Sequence, residues 1–325
     1  MRLGRKRADD GGRSTRLFYA SDIHGSDLLW RKFLGASKFY DADAAVMGGD
    51  LLGKAIVPVE RRADGTFGAQ FLGTERTVRE GNELDELLAA IRFNGYYPWI
   101  ASADEIAARA TETEELFSEV ARDEIRRWVE LAEAKASANG SSRLFVMAGN
   151  DDPWYVDEIL AASRAIEFCD DRVVRVGPHE MISSSYANPT PWNSPRELDE
   201  DALYERLRKL TEQLEEPSRA IFNLHVPPYD SRLDVAPDLK PDLTPRYSGG
   251  QPLMKPVGSR AVRRLIEEVQ PLLALHGHIH ESKGEVRIGR TLALNSGSEY
   301  NTGRLHGVVV TLGDERVVSH QFVVG

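Results

Sequence analysis

Five turns in this chain each follow a short apolar run and end in side chains of the types that bind metal ions. The turns are Ser21-Asp22-Ile23-His24, Gly48-Gly49-Asp50, Gly149-Asn150-Asp151-Asp152, Asn223-Leu224-His225 and Gly277-His278-Ile279-His280. Short apolar runs bounded by turns are typical of buried strands, and open α/β sheets place ligand sites at the carboxyl ends of their strands. The pattern therefore predicts an α/β fold in which five distant turns build one site.

Hydrophobic periodicity predicts the elements around these turns. Strands are predicted over 16–21, 44–47, 144–148, 173–176, 181–185, 220–224 and 272–275, and in the tail over 285–289, 291–294, 307–312 and 316–323. Amphipathic helices are predicted over 27–38, 198–215 and 259–269. The alternation of strand, turn and helix near the start of the chain is typical of an α/β layer.

A hundred positions separate Asp50 from Asn150. Within this stretch, residues 82–93 and 101–138 have helical periodicity and many Ala, Glu and Arg residues. We interpret residues 54–140 as a helical insertion beside the site, because connections of this length usually carry function or a subdomain. The alternative is an ordinary crossover of unusual length.

The remaining segments complete a single predicted domain over residues 16–325. The basic stretch 1–15 lacks the apolar segment of a secretory signal and is predicted to be a disordered leader. Residues 227–258 hold many Pro, Asp and Gly residues without periodicity, which predicts a long irregular loop.

Composition limits the class of protein. Apolar residues make up 41% of the 325 residues, enough for a sizeable core. No apolar run reaches the roughly 20 residues that a transmembrane helix needs, which argues against a membrane protein. The single cysteine, Cys169, excludes an intramolecular disulfide framework and fits a cytoplasmic location.

The residue types in the five turns suit two hard or borderline divalent cations. Asp22 and Asp50 would supply two negative charges, and the other ligands are neutral, so a net charge of about +2 would remain. Such a charge can hold a bridging hydroxide and polarise a phosphoryl oxygen. Mixed imidazole and carboxylate ligands favour manganese, iron, zinc or nickel, and the absence of cysteine from the turns argues against structural zinc.

In order and composition the turns resemble the calcineurin-like metallophosphoesterase family, whose motifs are D-x-H, G-D, G-N followed by His or Asp, a lone His, and G-H-x-H. The match spans residues 22 to 280. The resemblance implies a four-layer αββα sandwich, in which two mixed β-sheets are flanked by helices. It implies one metal held by Asp22, His24, Asp50 and His280, and a second held by Asp50, Asn150, His225 and His278, with Asp50 bridging. A metal-bridging hydroxide would attack phosphorus in line.

Asp151 departs from the usual family pattern, since many members carry a histidine there as the proposed leaving-group acid or transition-state contact. A carboxyl group donates a proton only if its pKa is raised, and nearby metals oppose this. Asp151 is therefore a candidate catalytic residue but a doubtful acid. Either the leaving group needs little protonation, or another group or water supplies the proton. Asp152 and His276 are expected behind the ligands, where they would orient ligands or the loop.

These observations predict a metal-dependent phosphoesterase, acting on monoesters or diesters. The net charge of −10 disfavours nucleic acid as a partner, so a small phosphoester is the predicted substrate. A nuclease, which would need a basic groove, is one alternative. A non-catalytic protein-binding module on the same fold is the other, and it would be expected to lose ligands, whereas all seven positions are occupied here.

Overall fold

The structure, a computed structural model, describes residues 14–139 and 143–325. The predicted leader therefore lies outside the described residues except for its last two positions, and Thr15 already belongs to the first strand. None of the helices in the described ranges is both long enough and apolar enough to cross a membrane.

The strands are described in chain order. They are β1 Thr15–Ala20, β2 Ala44–Gly48, β3 Ile56–Arg61, β4 Thr66–Phe71, β5 Thr74–Arg79, β6 Tyr97–Ser102, β7 Arg143–Met147, β8 Ile166–Phe168, β9 Val173–Val176, β10 His179–Ser184, β11 Ile221–Leu224, β12 Val235–Pro237, β13 Tyr247–Ser248, β14 Gln251–Pro252, β15 Met254–Pro256, β16 Leu273–His276, β17 Gly284–Ile288, β18 Thr291–Asn295, β19 His306–Leu312 and β20 Val317–Val324.

The α-helices connect and cover these strands. They are α1 Asp27–Tyr40, α2 Asn82–Phe93, α3 Ala103–Ala108, α4 Thr113–Asn139, α5 Tyr155–Ala161, α6 Glu200–Thr211 and α7 Arg260–Val269. Two short 3₁₀ helices lie at Pro217–Arg219 and Tyr300–Thr302.

Two six-stranded mixed sheets form the centre of the fold. The first has the order β20-β19-β1-β2-β7-β8, and the second has the order β17-β18-β16-β11-β10-β9. In the first sheet β1, β2, β7 and β8 run parallel. In the second, β10, β11, β16 and β18 run parallel. Each sheet therefore presents the carboxyl ends of several neighbouring strands at one edge.

Alternating side chains on each strand separate the layers. On β1, Leu17 and Tyr19 pack between the two sheets, whereas Phe18 and Ala20 face the helices outside the first sheet. Helices α1, α4 and α5 cover that outer face, and α6 and α7 cover the outer face of the second sheet. This is the predicted α/β fold, an αββα sandwich of two mixed sheets.

The insertion differs from the helical prediction, because strands β3 to β6 within it form a sheet of their own. Its order is β5-β4-β3-β6, and α2 packs on one face. Val57 and Val59 are buried while their neighbours are partly exposed, which is the period of a half-buried strand. Ile56 and Pro58 on the outward face obscure this short alternation in the sequence. The predicted helix over 101–138 is interrupted and forms α3 and α4.

Helix α4 lies within the inserted segment of the chain but packs against the sandwich. Trp128 on α4 stacks on Trp30 of α1 with ring centroids 5.2 Å apart. The indole nitrogen of Trp30 also donates to the Trp128 carbonyl at 3.0 Å. This contact places α4 in the outer helical layer of the first sheet.

The segment 227–258 is also more ordered than the predicted irregular loop. It contains two small antiparallel sheets, β12 with β15 and β13 with β14. Strands of two or three residues are too short to show periodicity in the sequence. The ends of most other predicted elements lie within two residues of the structure. The helix predicted over 198–215 is shorter at both ends; the Asp199 carboxylate caps its start by accepting from the Ala202 amide at 2.9 Å.

Candidate metal centre

All seven predicted metal ligands follow strands that run parallel to a neighbour. In the first sheet, Asp22 and His24 follow β1, Asp50 follows β2 and Asn150 follows β7. In the second, His225 follows β11, and His278 and His280 follow β16. The two edges are joined directly, since the His278 amide donates to the Asp22 carboxylate at 3.0 Å. The turns of both sheets therefore meet at one end of the sandwich.

Six of these side chains form two groups that share Asp50. The first group is Asp22, His24, Asp50 and His280, and the second is Asp50, His225 and His278. Within each group the potential ligand atoms lie within 4.8 Å of one another. The shared residue is the one that the family resemblance assigns to the bridging position, and the roles of these residues as ligands stay a prediction.

Asn150, the seventh predicted ligand, lies beside the shared carboxylate. The next backbone amide, that of Asp151, donates to Asp50 Oδ1 at 3.2 Å. The Asn150 amide nitrogen donates to the Asp151 carboxylate at 3.1 Å, while its Oδ1 is buried and makes no hydrogen bond with the described residues. An unpaired buried amide oxygen is available as a metal donor and would otherwise cost free energy.

The backbone is strained where these side chains leave it. Asp22, His24, Asp50 and His278 have φ values of 57°, 40°, 51° and 64°. Residues with a Cβ seldom adopt this left-handed region, and such strain concentrates at functional sites. Gly149 is needed for space and not for its backbone conformation, because a Cβ there would lie 2.1 Å from Asp50 Oδ1. The glycine allows the third turn to approach the shared carboxylate.

His225 is oriented by the neighbouring sheet. Its Nδ1 lies 2.8 Å from the carbonyl oxygen of Gly48, so this nitrogen carries the proton and donates. Its Nε2 then faces the Asp50 carboxylate at 3.4 Å. Fixing one ring nitrogen in this way is how a histidine is prepared as a metal ligand through the other nitrogen.

The electrostatics of the centre favour a cation. Burial raises the pKa of a carboxyl, yet the hydrogen bond and charge of His280, with the charge of His225, hold the pKa of Asp22 at about 2. Burial opposes protonation of His225, but the Asp50 and Asp22 charges raise its pKa to about 10. Burial lowers the pKa of His24 and of His278 to about 4. The carboxylates therefore stay ionised and attract cations, while the imidazole rings of His24 and His278 stay neutral and keep lone pairs that can bind a metal.

The donor set fits divalent cations. Asp22, His24, Asp50 and His225 are buried, and the cost of burying such groups is repaid when they bind a metal. The Nε2 atoms of His24 and His280 face each other at 3.0 Å, so two lone-pair donors converge there. His278 and His280 are only partly buried, which leaves the centre open on one side.

Asp151 lies at the rim of the centre and belongs to neither ligand group. Its carboxylate accepts from the Ser194 hydroxyl at 2.7 Å and forms an ion pair with the Lys54 ammonium. Sequence reasoning missed Lys54, although a basic residue four positions after Asp50 was a usable signal. It also missed Ser194, for which no local signal exists.

Asp152 and His276 lie behind the ligands. The buried Asp152 carboxylate accepts from the backbone amides of Gly149 at 2.7 Å and Leu52 at 2.9 Å, and it also accepts from Leu51. Burial, with the charge of Asp50, raises its pKa to about 6. The hydrogen bonds of Asp152 thus join the turn that follows β2 to the turn that follows β7. His276 lies in β16, where its Nδ1 is 2.8 Å from the Leu224 carbonyl oxygen, directly before His225.

Two further residues support the turns. The Ser298 hydroxyl donates to the Asp22 carbonyl at 2.6 Å. Arg196, buried and paired with Asp157 at 2.6 Å, donates from Nε to the Asp152 carbonyl at 2.7 Å. Both contacts hold backbone next to the ligand-bearing residues.

Comparison with known proteins agrees with this architecture. No family model matches the chain. An uncharacterized protein of Methanocaldococcus jannaschii is 28% identical over 171 residues, covering 51% of this chain and 69% of that protein. The crystal structure of TT1561 of Thermus thermophilus covers 94% of this chain and 100% of its own, with a TM-score of 0.51 and 14% identity. A further crystal structure covers 96% of this chain and 99% of its own, with a TM-score of 0.52 and 15% identity.

These solved structures share the fold of this chain. The two-sheet sandwich is the fold that the resemblance to the calcineurin-like metallophosphoesterases implied, and it brings together the five turns D-x-H, G-D, G-N-D, His and G-H-x-H.

Proposed function

We propose that this chain is a metal-dependent phosphoesterase with a binuclear centre. The two groups of ligand atoms that share Asp50 are the main support. A shared carboxylate suits two divalent ions about 3.5–4 Å apart, the arrangement used to hydrolyse phosphoesters. A non-catalytic binding module on this fold would have no need to keep the strained backbone and buried charge of these turns.

Seven residues would hold the two ions. Asp22, His24, Asp50 and His280 would bind one ion, and Asp50, Asn150, His225 and His278 would bind the other. Manganese, iron, zinc and nickel all suit this mixture of imidazole and oxygen donors. When bound, two such ions supply charge that polarises a phosphoryl oxygen and lowers the pKa of a water molecule for in-line attack.

The chain's own groups would prepare the site for this chemistry. Asp22 and Asp50 provide fixed negative charge, and the Gly48 carbonyl holds the ring of His225. Substrate would approach over His278 and His280, which line the open side. The polypeptide therefore contributes orientation and charge balance before any substrate arrives.

A small phosphoester is the proposed substrate class. The net charge of −10 opposes a long polyanion, whereas a single phosphate group would be attracted by the local charge of two cations. Asp151 in place of histidine favours esters whose leaving group needs little protonation. We therefore favour phosphodiesters, and among all esters those whose departing group is weakly basic.

Metal analysis combined with a substrate panel tests the proposal. The purified protein, reconstituted separately with manganese, iron, zinc and nickel, should bind two ions per chain. It should hydrolyse at least one of p-nitrophenyl phosphate, bis(p-nitrophenyl) phosphate and p-nitrophenyl phenylphosphonate. A protein that binds two ions but hydrolyses none of these esters would favour the binding-module alternative. A protein that binds no ions would refute the metal centre itself.

A further inference from the structure

Asp151 poses an electrostatic problem for a phosphoesterase. It directly follows Asn150 and stands where many related enzymes carry a histidine that faces the substrate. Its side chain is 31% exposed, so its charge is accessible at the rim of the centre. An unpaired carboxylate there would repel a phosphate group, because like charges a few ångströms apart oppose each other.

Lys54 removes that problem. Its ammonium pairs with Asp151 Oδ2 although the two residues are 97 positions apart in the chain. The side chain of Lys54 is 45% exposed, so it reaches the rim without being enclosed. An ammonium group has three N–H donors, and the pair with Asp151 needs one of them. The other donors can reach a ligand from solvent.

The backbone that carries Lys54 is fixed by side chains deeper in the fold. The Gly53 amide donates to the Tyr97 hydroxyl at 2.7 Å, and the Leu52 amide donates to Asp152 at 2.9 Å. The chain therefore leaves Asp50 along a defined path, and the base of the lysine side chain has a defined position. Because the backbone at Lys54 is already ordered, holding the ammonium group in place costs only the conformational entropy of the side chain.

Asp151 is fixed equally well. The Ser194 hydroxyl donates to its Oδ1 at 2.7 Å, and the Asp151 amide donates to Asp50 Oδ1 at 3.2 Å. The carboxylate is thus a rigid acceptor next to the shared metal ligand. Burial lowers the pKa of Lys54, but the charges of Asp50 and Asp151 outweigh it and raise the pKa above its ordinary value. The ammonium group stays charged at neutral pH.

We propose that Lys54 contacts a phosphoryl oxygen of the substrate in place of the family histidine, and that Asp151 is the residue that positions it. This inference rests on the proposed phosphoesterase function. Lys54 acts as a fixed cation beside the two metals, so it stabilises negative charge that develops on the phosphoryl group. Asp151 and Lys54 together then take the place of the family histidine.

A merely structural ion pair would behave differently. Exposed ion pairs contribute little to stability, and removing both partners of a structural pair together would leave turnover and phosphate affinity unchanged. A substrate contact would change both in the same direction. Kinetics and phosphate binding on matched variants therefore separate the two roles.

The test uses the metal-loaded protein and its Lys54→Met and Lys54→Arg variants. Lys209→Met is the control, because Lys209 is an exposed lysine on α6, outside the second sheet, and its loss changes net charge equally. We expect Lys54→Met to lower kcat/KM for bis(p-nitrophenyl) phosphate about ten- to hundredfold, the range for one charge-assisted hydrogen bond. Inorganic phosphate should inhibit it more weakly by a similar factor. Lys54→Arg should recover most of both, and metal content should stay unchanged.

The positioning role is tested with Asp151→Asn and the double variant. If Asp151 acts through Lys54, Asp151→Asn should raise the phosphate inhibition constant in the wild-type background. In Lys54→Met it should instead lower the constant, because it removes the unpaired carboxylate, yet the double variant should still bind phosphate more weakly than wild type. Purely additive losses would overturn the positioning role. Equal kcat/KM and equal phosphate inhibition in Lys54→Met and Lys209→Met would overturn the substrate contact.

Failure of the underlying function has a separate signature. If the metal-loaded wild-type protein hydrolyses no ester, the proposed function fails. Titration calorimetry with inorganic phosphate then decides the Lys54 contact on its own. Weaker binding by Lys54→Met than by Lys209→Met supports the contact, and equal binding overturns it.

Discussion

Asp50 is the residue whose loss should damage the centre most, because it lies in both ligand groups. The substitution Asp50→Asn keeps the shape of the side chain. It also keeps an oxygen that can accept from the Asp151 amide, which in the wild-type protein lies 3.2 Å from Asp50 Oδ1. It removes a buried negative charge that lies 3.4 Å from His225 Nε2 and 3.6 Å from His24 Nε2. The fold should survive, while the attraction for cations should not.

The size of the effect follows from burial. Removing one partner of a buried charge pair costs about 3–5 kcal/mol, and each 1.4 kcal/mol is a factor of ten in an equilibrium constant. We therefore expect Asp50→Asn to weaken metal binding by roughly a hundred- to several-thousand-fold. Because the carboxylate is shared, both ions should be affected together.

The assay measures metal content and hydrolysis on the same samples. Wild type, Asp50→Asn and the control Asp123→Asn are dialysed against equal manganese concentrations, analysed by mass spectrometry for metal, and assayed with bis(p-nitrophenyl) phosphate. Asp123 is a suitable control because its side chain is 78% exposed on α4. Circular dichroism checks the fold. A folded Asp50→Asn protein that retained two ions and hydrolysed the ester near the wild-type rate would refute the bridging assignment.

Three further predictions concern the rim and the core. Asp151→His should leave metal content intact and alter the hydrolysis rate; loss of metal, measured by mass spectrometry, would instead make Asp151 a ligand. Trp128→Ala should lower the free energy of unfolding by about 3–5 kcal/mol in urea titrations, while Trp192→Ala, at a side chain 63% exposed, should change it little; equal effects would place α4 outside the core. Cys169 is buried, and burial raises its pKa from 9.0 to about 12, so native protein at pH 8 should resist thiol reagents that label the urea-unfolded chain. Because the folded pKa is the higher one, the stability that Cys169 contributes is lost only as pH rises from about 9 towards 12; rapid labelling of native protein would contradict this burial.

The predictable part of the fold consisted of elements with strong local periodicity. Helix α2 was predicted over its full length, 82–93, and β9 over 173–176, because each has a clear local pattern. Strand β3 was missed because Ile56 and Pro58 on its outward face obscure the alternation and its buried valines are few. Burial of Val57 and Val59 depends on α2 and β4, which lie elsewhere in the chain.

The candidate site divides in the same way. Asp22, Asp50 and His225 could be singled out because each follows an apolar strand in the chain, a relation between near neighbours. The roles expected for Asp152 and His276 also came from positions next to ligands. The contacts of Lys54 and Ser194 with Asp151 join residues 97 and 43 positions apart, and no local pattern records them.

The sequence by itself determined most strands of the two central sheets, the turns that end them and the order of residues suited to bind metal. These depend on hydrophobic periodicity and on turn chemistry, which act over a few residues. Only the tertiary structure decided that α4 packs in the outer layer through Trp128 and that Lys54 meets Asp151. Those facts depend on contacts between segments far apart in the chain, because burial and charge pairing act between side chains that only folding brings within a few ångströms.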